Sequence, residues 1–469
     1  MDKWNKSIKP FYDQNIRDIY DACKGFEKKD RQRGIALLVE QFLKLRGERV
    51  QALDRIAAGS PQKIKRLAGS YKRMIREYSE QAVLHLRKQK TIPEVLAAAD
   101  PARYLEAIEE GVRSLEQLED TLQSFVRRLK EIKKIAAKPM RPRRHLQRIE
   151  NIHPDFCVAF RENLHPLSFF EINDAGSKSF WDSIILLSRT FLPNEINSPK
   201  DYTSYLEEKN HAEGAIVEVE IGGTVRKHWN KWIMVCALDE TGRLLGAADG
   251  AIIVNHEMAL FYFSHVAVDE KSRIRGIGSH LTAAALQAAN QAIPFGWKAL
   301  GLKGQHPEAG AHFLDCEVSE IEFPDTTFAG INSIRRLPFH GRMHRCAIWP
   351  LLYSQPDTDY TLPAFDPKMW NSVPMFLAFR AFPLEESNAA KALAAADLAF
   401  DYFIQEMGTG ATWDREYMMN ALAANGPISL IPFPTEKSGV DDFIKKTGTL
   451  PELLEKYYPS HKFTVDFFN

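Results

Sequence analysis

The spacing of the apolar residues changes once along this chain of 469 residues. Up to about residue 137, apolar side chains recur every three or four residues, as in the run IALLVEQFLKLRGERV at 35–50, which is typical of an amphipathic helix. From about residue 166, short apolar runs of strand type take over. Since helical stripes and strand faces form different kinds of core, we predict an all-α part followed by an α+β part.

Proline, glycine and charge divide the chain further. We predict a basic helical domain over 1–137, built as a helical bundle or coiled hairpin, and a basic, proline-containing linker over 138–165. An α+β domain over 166–383 and a C-terminal helical extension over 384–469 follow. A chain of this length exceeds what one hydrophobic core normally supports, so several domains are expected.

Charge is distributed unevenly although the formal net charge is zero. Residues 1–150 hold 34 Lys and Arg against 21 Asp and Glu, a net charge of +13, and the rest of the chain carries −13. The two parts can attract each other, or the basic part can bind a separate acidic partner. The run KPMRPRRHLQR reads either as a solvated linker or as a phosphate or nucleic-acid contact. It lacks the interleaved aromatic residues that stack bases, so we expect no nucleic-acid partner.

Several classes of protein are disfavoured. The first residues, MDKWNKSIKPFYDQN, contain no apolar stretch of signal-peptide type, and no window approaches 18 apolar residues without charge. The five cysteines are scattered and form no C-x-x-C pair, so the sequence predicts neither a zinc or other metal site nor a disulfide framework. We expect a cytoplasmic protein with reduced thiols and no membrane contact.

The α+β part contains a series of short strand and helix candidates. The predicted strands are HPLSFFEIN, AIVEVEI, WIMVCALDE, RLLGAADGAIIV, ALFYFSHVAV, VSEIEF, RCAIWPLLYS and VPMFLAFRAF. The predicted helices are SKSFWDSIILLSRTFL, SPKDYTSYLEEKN, SHLTAAALQAANQA and TTFAGINSIRRL, and NAAKALAAADLAFDYFIQEM opens the C-terminal extension.

The window FYFSHVAVDEKSRIRGIGSHLTAAAL at 261–286 places a strand, a charged loop and a helix start in direct succession. Amide groups at a helix N-terminus converge on an anion, and the helix dipole favours negative charge there. Gly276 and Gly278 let the backbone approach a phosphate closely, and Ser279 can cap the helix or bind the phosphate. Arg273 and Arg275 add positive charge. The window therefore predicts a pyrophosphate site, although glycines also occur in such turns without a ligand.

Two familiar phosphate motifs fit this window less well. The dinucleotide fingerprint needs a third glycine where this chain has Leu281, and the G-x-x-x-x-G-K-[ST] loop is absent. The residues R-I-R-G-I-G at 273–278 instead resemble the [QR]-x-x-G-x-[GA] hallmark of the GNAT acyltransferase superfamily, between its fourth strand and third helix. Over residues 166–383 the predicted order is also similar: strand, two helices, three strands, motif helix, strand, helix and two strands.

The resemblance implies a fold and a co-substrate. The fold is a GNAT-like mixed, mostly antiparallel central sheet flanked by helices, in which the fourth strand splays from the fifth. Acetyl-CoA or another acyl-CoA would pair its pantetheine with the fourth strand and bind its pyrophosphate to the motif amides. The acyl-CoA-binding residues implied are Val266, Ala267, Val268, Arg273, Ile274, Arg275, Gly276, Ile277, Gly278 and Ser279.

The resemblance also implies direct attack of a primary amine on the thioester in a ternary complex, without an acyl-enzyme. The family usually carries a tyrosine in or near its fourth helix to protonate the leaving thiolate. The segment TTFAGINSIRRLPFHGRMH contains none. His340 in that segment, Tyr353 one strand later, or water is left to act as the acid.

A base is needed because an amine with a pKa of about 10 is mostly protonated at neutral pH. The fourth-strand positions that face the acceptor in the family correspond to Tyr262 and Ser264 here. Glu322, on the predicted fifth strand, and His265 are chemically better proton acceptors. Each of these residues can equally have a purely structural role.

These patterns together predict an acyl-CoA-dependent N-acyltransferase. Its acidic α+β part would suit a cationic acceptor such as a polyamine, an amino sugar or a protein lysine. The helical domain can recognise a protein acceptor, hold an oligomer together or cover the active site. A non-catalytic acyl-CoA sensor, and an adaptor whose basic domain binds an acidic partner or nucleic acid, remain as alternatives. Turnover with an amine, and salt-dependent nucleic-acid binding by the basic domain, would separate them.

Overall fold

A computed structural model describes residues 28–89, 122–137, 146–157, 167–193, 195–207, 213–272, 276–302, 313–322, 327–328, 331–332, 336–356, 372–407, 415, 419 and 427–457. Helices and strands are mixed in it, and the chain separates into two compact units. The first unit contains the described residues up to Lys133 together with Phe328 and Ile331, and the second contains the others.

In the first unit, helices α1 (Lys28–Ala57) and α2 (Gln62–Gln89) are joined by a short turn. Gly59 lies in this turn with a φ of 69°, a value that glycine adopts without strain. Residues 122–136 are also helical, and Tyr71 of α2 packs against Phe125 with ring centroids 5.0 Å apart. Both rings are fully buried, so the apolar stripe of α2 forms core as its spacing predicts.

The second unit contains a ten-stranded, mostly antiparallel sheet with the strand order β1-β2-β4-β5-β6-β7-β11-β10-β12, and β3 pairs with β4. Strands β6 and β7 pair in parallel, while the other pairs described in this sheet are antiparallel. The strands are β1 (Leu146–Arg148), β2 (Ser168–Ile172), β3 (Ala215–Ile221), β4 (Thr224–Leu238), β5 (Leu244–Val254), β6 (Ala259–Val268), β7 (Cys316–Glu322), β10 (Cys346–Pro356), β11 (Ser372–Ala381) and β12 (Ser429–Pro432).

Helices cover both faces of this sheet. They are α3 (Lys178–Thr190), α4 (Pro199–Glu207), α5 (Ile277–Ala299), α6 (Leu337–Arg342), α7 (Ala389–Met407), α8 (Val440–Thr447) and α9 (Leu450–Tyr457). Phe261 and Phe263 of β6 belong to the core beneath α5, whereas Tyr262 packs against Phe403 of α7. Because side chains alternate along a strand, α5 and α7 lie on opposite faces of β6. Among the described helices, none combines the length and apolar composition that a bilayer span requires.

Most predicted elements are found, with three differences. The first is that β1 lies inside the segment 138–165, predicted as a linker, and pairs with β2 as part of the sheet. The segment TTFAGINSIRRL was expected to be a helix, but it contains the paired strands β8 (Thr327–Phe328) and β9 (Ile331–Asn332). Helix α6 begins only at Leu337, where Pro338 suits the first helical turn. Near the C-terminus, β12 pairs with β10 and adds a strand to the sheet, which the apolar pattern did not indicate.

Candidate active site

The pairing of strands β6 and β7 ends before either strand does, and the part of the sheet where they run unpaired is called here the opening. They pair from Leu260–Cys316 to Phe263–Ser319, and the described residues show no pairing between them past that point. Both strands nevertheless continue, β6 along β5 as far as Val268 and β7 along β11 as far as Glu322. Among the described residues no strand pairs with the β7-facing edge of β6 from Ser264 to Ala267, and an extended ligand can add to such an edge.

The opening begins at a β-bulge in β6. Asp249 pairs with His265 and Gly250 pairs with Phe263, so Ser264 is an extra residue between them. A Cβ atom at Gly250 would lie 2.2 Å from the carbonyl oxygen of Tyr262, which explains why glycine occupies this position. A bulge bends its strand and increases the local twist, and this one directly follows Phe263, the last residue of β6 that pairs with β7.

Helix α5 begins at Ile277, soon after β6 ends, and Gly276 precedes it with a left-handed φ of 78°. Gly276 has no side chain that could cap the helix, so no side chain at this position accepts hydrogen bonds from the first-turn N–H groups. A Cβ atom at Gly278 would lie 3.4 Å from Cε2 of Phe339 and 3.9 Å from Cγ2 of Val268. The end of β6, the start of α5 and helix α6 thus meet at one corner of the opening.

The residues predicted to bind acyl-CoA are partly brought together at this corner. Arg273, Ile274 and Arg275 lie outside the described residues. Ile277 and Ala267 are buried, so their backbone amides remain as possible ligand contacts while their side chains belong to the core. The other predicted residues are exposed or half-buried around the same corner: Val266, Val268, Gly276, Gly278 and Ser279.

Tyr262 and Glu320 form a hydrogen-bonded pair at the mouth of the opening. The Tyr262 hydroxyl donates to Oε1 of Glu320 over 2.7 Å. Glu320 is half-buried and follows Ser319, the last residue of β7 that pairs with β6. Burial, and then the charge of Glu320, raise the pKa of Tyr262 well above its ordinary value. At neutral pH Tyr262 therefore remains a protonated phenol and Glu320 is the acceptor of the pair.

His265 does not fit the role of general base predicted for it. Its Nδ1 lies 2.9 Å from Oδ1 of Asp249, and its Nε2 lies 2.9 Å from the carbonyl oxygen of Glu195. A carboxylate and a carbonyl both accept, so both ring nitrogens must donate and the imidazole is protonated. Burial lowers the pKa of His265, but the charge and hydrogen bond of Asp249 outweigh burial and leave the pKa raised. The residue ties the bulge to the loop after α3.

His340 likewise does not fit the predicted role of general acid. Nη1 of Arg345 donates to Nδ1 of His340 over 2.8 Å, so the ring proton lies on Nε2 and the imidazole is neutral. Burial, and then the charges of Arg345 and Arg336, lower the pKa of His340 well below its ordinary value. A neutral imidazole yields its remaining proton very weakly, so Nε2 of His340 can donate a hydrogen bond but not transfer a proton.

A buried ion cluster braces β7, β10 and β11 beneath the opening. Glu317 accepts from Nε of Arg345 and, over 3.2 Å, from Nη2 of Arg380. The Arg345 guanidinium lies over the ring of Phe263, 4.8 Å from its centroid. Burial raises the pKa of Glu317, but the two arginines outweigh burial and hold the pKa below its ordinary value. The cluster therefore ties β7 to β11 at Glu317, two residues before Ser319, the last residue of β7 that pairs with β6.

Two further predicted candidates can be placed only by strand position. Glu322 is the last residue of β7 and pairs with Met375 of β11, and Tyr353 of β10 pairs with the same Met375. Adjacent strands lie about 4.8 Å apart, so Tyr353 is about 10 Å from β7 along the sheet.

Sequence reasoning missed two residues of the site, Glu320 and Asp249. Glu320 lies two residues before the predicted Glu322 and so on the same face of β7, which strand alternation alone indicates. Asp249 is a lone charged residue in the apolar run LLGAADGAIIV, and it is fully buried. A buried carboxylate requires partners, so a charge in a continuously apolar strand is itself a signal of a polar site.

Neither the protein-family models nor the curated proteins compared with this chain gave a match. The chemistry of the opening is therefore inferred from its own residues and from the motif at 273–278.

Proposed function

We propose that residues 166–383 form a GNAT-type N-acyltransferase domain. It transfers an acetyl group, or another short acyl group, from CoA to a primary amine by direct attack in a ternary complex. One observation carries this proposal. The parallel pairing of β6 and β7 stops at the bulge in β6, and soon after β6 ends, α5 begins between Gly276 and Gly278. The resemblance at 273–278 leads us to expect both features at these places.

In the proposed complex, acyl-CoA lies along β6 and across the start of α5. The pantetheine amides pair with the β7-facing edge of β6 after Phe263, as an added strand would. The pyrophosphate lies at the first turn of α5, where the amides of Ile277, Gly278 and Ser279 can donate and the helix dipole favours an anion. This arrangement brings the thioester to the opening between β6 and β7.

The reaction then takes place at the bulge. Backbone N–H groups on the β7-facing edge of β6 can donate hydrogen bonds to the oxygen of the tetrahedral intermediate. Because the strand already holds these groups in one direction, they can stabilise the intermediate without rearranging. The expelled thiolate receives its proton from water or from the attacking nitrogen. Nε2 of His340 contributes at most a hydrogen bond.

Calorimetric titration with acetyl-CoA tests the proposal with three proteins: the wild type, Gly278→Gln and Gly278→Glu. The Cβ atom that either substitution adds makes ordinary contacts, and a first-turn carboxylate favours the helix dipole, so both variants are expected to fold. Unit charges about 4 Å apart repel by about 4 kcal/mol at an effective dielectric of 20, and solvent reduces this to about 1.5 kcal/mol. Gly278→Glu should therefore bind at least about tenfold more weakly than Gly278→Gln.

The results distinguish an acyl-CoA site from its absence, and an enzyme from a sensor. No binding to the wild type, or equal binding to the Gln and Glu variants with circular dichroism unchanged, would contradict the acyl-CoA site. Binding that is lost with Gly278→Glu supports it. If acetyl-CoA binds in this way but no amine is acetylated, the domain is an acyl-CoA sensor and not an enzyme.

A further inference from the structure

Tyrosine hydroxyls and carboxylates from five elements converge on the face of β6 that α7 covers. Tyr262 donates to Glu320, and the Tyr205 hydroxyl of α4 donates to Oε2 of Glu406 over 3.0 Å. Tyr402 of α7 lies beside Tyr262, with ring centroids 5.7 Å apart, and burial and then the charge of Glu406 raise its pKa. These groups are called here the tyrosine–carboxylate cluster: Tyr205, Asp249, Tyr262, Glu320, Tyr402 and Glu406.

Two buried polar atoms in and beside this cluster have no hydrogen-bond partner among the described residues. Asp249 is fully buried, and while its Oδ1 accepts from His265, its Oδ2 accepts from nothing. Ala251 of β5 pairs with Tyr262, and Asp249 lies two residues before Ala251, so this carboxylate is on the same face of the sheet as Tyr262. Nε1 of Trp232, whose ring stacks on Tyr205 at 5.0 Å, is also unpartnered. Unpartnered buried groups of this kind mark a place that a polar ligand can occupy.

We infer that the tyrosine–carboxylate cluster is the acceptor site, that it binds a small primary amine in its ammonium form, and that Glu320 receives the amine's proton through Tyr262. This inference rests on the proposed function. Ammonium N–H groups complement the free oxygen of Asp249 and the carboxylate of Glu320. The aromatic side chains that surround the cluster suit the apolar body of such an amine and attract its charge.

A small molecule fits the geometry better than a protein lysine. Asp249, Tyr262 and Tyr402 are at most 8% exposed, whereas Tyr205, Ser264, Glu320 and Glu406 are half-buried. An amine that reaches Asp249 must therefore be enclosed by aromatic side chains. Enclosure of the whole molecule is possible for a small amine.

The proton balance of the transfer is complete. The ammonium nitrogen donates one proton to the Tyr262 hydroxyl as that hydroxyl passes its own proton to Glu320. The freed lone pair forms the C–N bond, the C–S bond breaks, and a second proton from nitrogen goes to the CoA thiolate. The products are the amide, CoA thiol and one proton held by Glu320, which is released to solvent.

The charged and titratable groups that face Tyr262 come from every neighbouring element. They are Asp249 of β5, His265 of β6, Glu320 of β7, Tyr205 of α4, and Tyr402 and Glu406 of α7. Tyr262 keeps its proton at neutral pH because burial, then Glu320, raise its pKa well above the ordinary value. The phenol is therefore a relay, and Glu320 is the group whose loss should alter the pH profile.

The test measures acetylation by the full-length protein with propylamine, 1,4-diaminobutane and 2-phenylethylamine, and with a lysine-containing peptide for comparison. We expect turnover with at least one small amine. Glu320→Gln should lower kcat/KM at neutral pH by at least about 100-fold, with the loss shrinking as pH rises toward the pKa of the amine. Tyr262→Phe should lower kcat/KM in the same direction. Glu218→Gln, an exposed carboxylate on β3, is the matched control and should leave turnover unchanged.

Acetyl-CoA affinity, measured in parallel by calorimetry, should be unchanged in Glu320→Gln. Turnover by that variant equal to wild type, or acetylation of the peptide alone, would overturn the acceptor site while leaving the acyl-CoA site in place. A pH-independent loss of activity would show a structural role for Glu320 and also overturn the inference. Failure of the wild type to bind acetyl-CoA would remove the proposed function and this inference together.

Discussion

The burial of His228 predicts a specific loss of stability in acid. This side chain on β4 is fully buried, with Nε2 3.3 Å from Oε1 of Gln405 and Nδ1 without a partner among the described residues. Burial, more than the nearby Arg226, lowers its pKa to about 4. In the unfolded chain a histidine titrates near a pKa of about 6.5. Below that pH the unfolded state binds a proton that the folded state does not, so stability falls as pH drops from about 6.5 to 4.

The magnitude follows from the two pKa values. Between pH 8 and pH 5 the difference costs about 2 kcal/mol of unfolding free energy, because one pKa unit corresponds to about 1.4 kcal/mol. Urea unfolding at both pH values would be compared for the wild type and His228→Leu. The variant should lose about 2 kcal/mol less than the wild type, since the other titrating groups are common to both.

An exposed histidine provides the control. The His256 side chain is 71% exposed, so His256→Leu should keep the full pH difference of the wild type. Equal losses in the wild type and in His228→Leu, within about 0.5 kcal/mol, would refute the reasoning, because they would mean that His228 is solvated or protonated in the folded state.

Two further substitutions test the frame of the site. Gly250→Ala should lower the unfolding free energy by about 1–3 kcal/mol, since its Cβ meets the Tyr262 carbonyl, whereas Gly47→Ala in α1, where the space is open, should raise it by up to about 1 kcal/mol. If urea unfolding shows that both variants are destabilised, or that neither is, the close contact expected between position 250 and the Tyr262 carbonyl would be contradicted. Glu317→Gln should cost about 3–5 kcal/mol because two buried arginines lose their shared carboxylate, and a loss under about 1 kcal/mol would show that solvent reaches the cluster.

Most strands and long helices could be predicted from the sequence because their apolar spacing is regular. The run ALFYFSHVAV reads as a strand in any context, and β6 is found over those residues. The failure at TTFAGINSIRRL has a physical cause: its few apolar residues fit a helical stripe, but Thr, Phe and Ile also favour strands, and Pro338 starts the helix later. Short segments of this kind are decided by their partners, which spacing does not reveal.

The candidate site, too, could be predicted from the sequence only in part. The glycines at 276 and 278 indicate a helix start after a strand, and α5 begins there because glycine tolerates the left-handed backbone that the turn requires. The roles of His265 and His340 could not be predicted, since each depends on partners distant in sequence. Asp249 and the Glu195 carbonyl make His265 a cation, and Arg345 makes His340 neutral. Residue type gives the range of chemistry that a side chain can perform, and its partners choose within that range.

The two faces of β6 explain why the proposed reaction needs no acyl-enzyme. The start of α5 and Phe339 border the opening at the corner assigned to acyl-CoA. Tyr262 lies on the other face of β6, where it contacts Tyr402 of α7. In the proposed complex, acyl-CoA and the amine therefore approach the thioester from opposite sides of the sheet and do not compete for one space. In that complex the bulge at Ser264 lies between the two substrates, so both can be held at once and the nitrogen can attack the carbonyl directly.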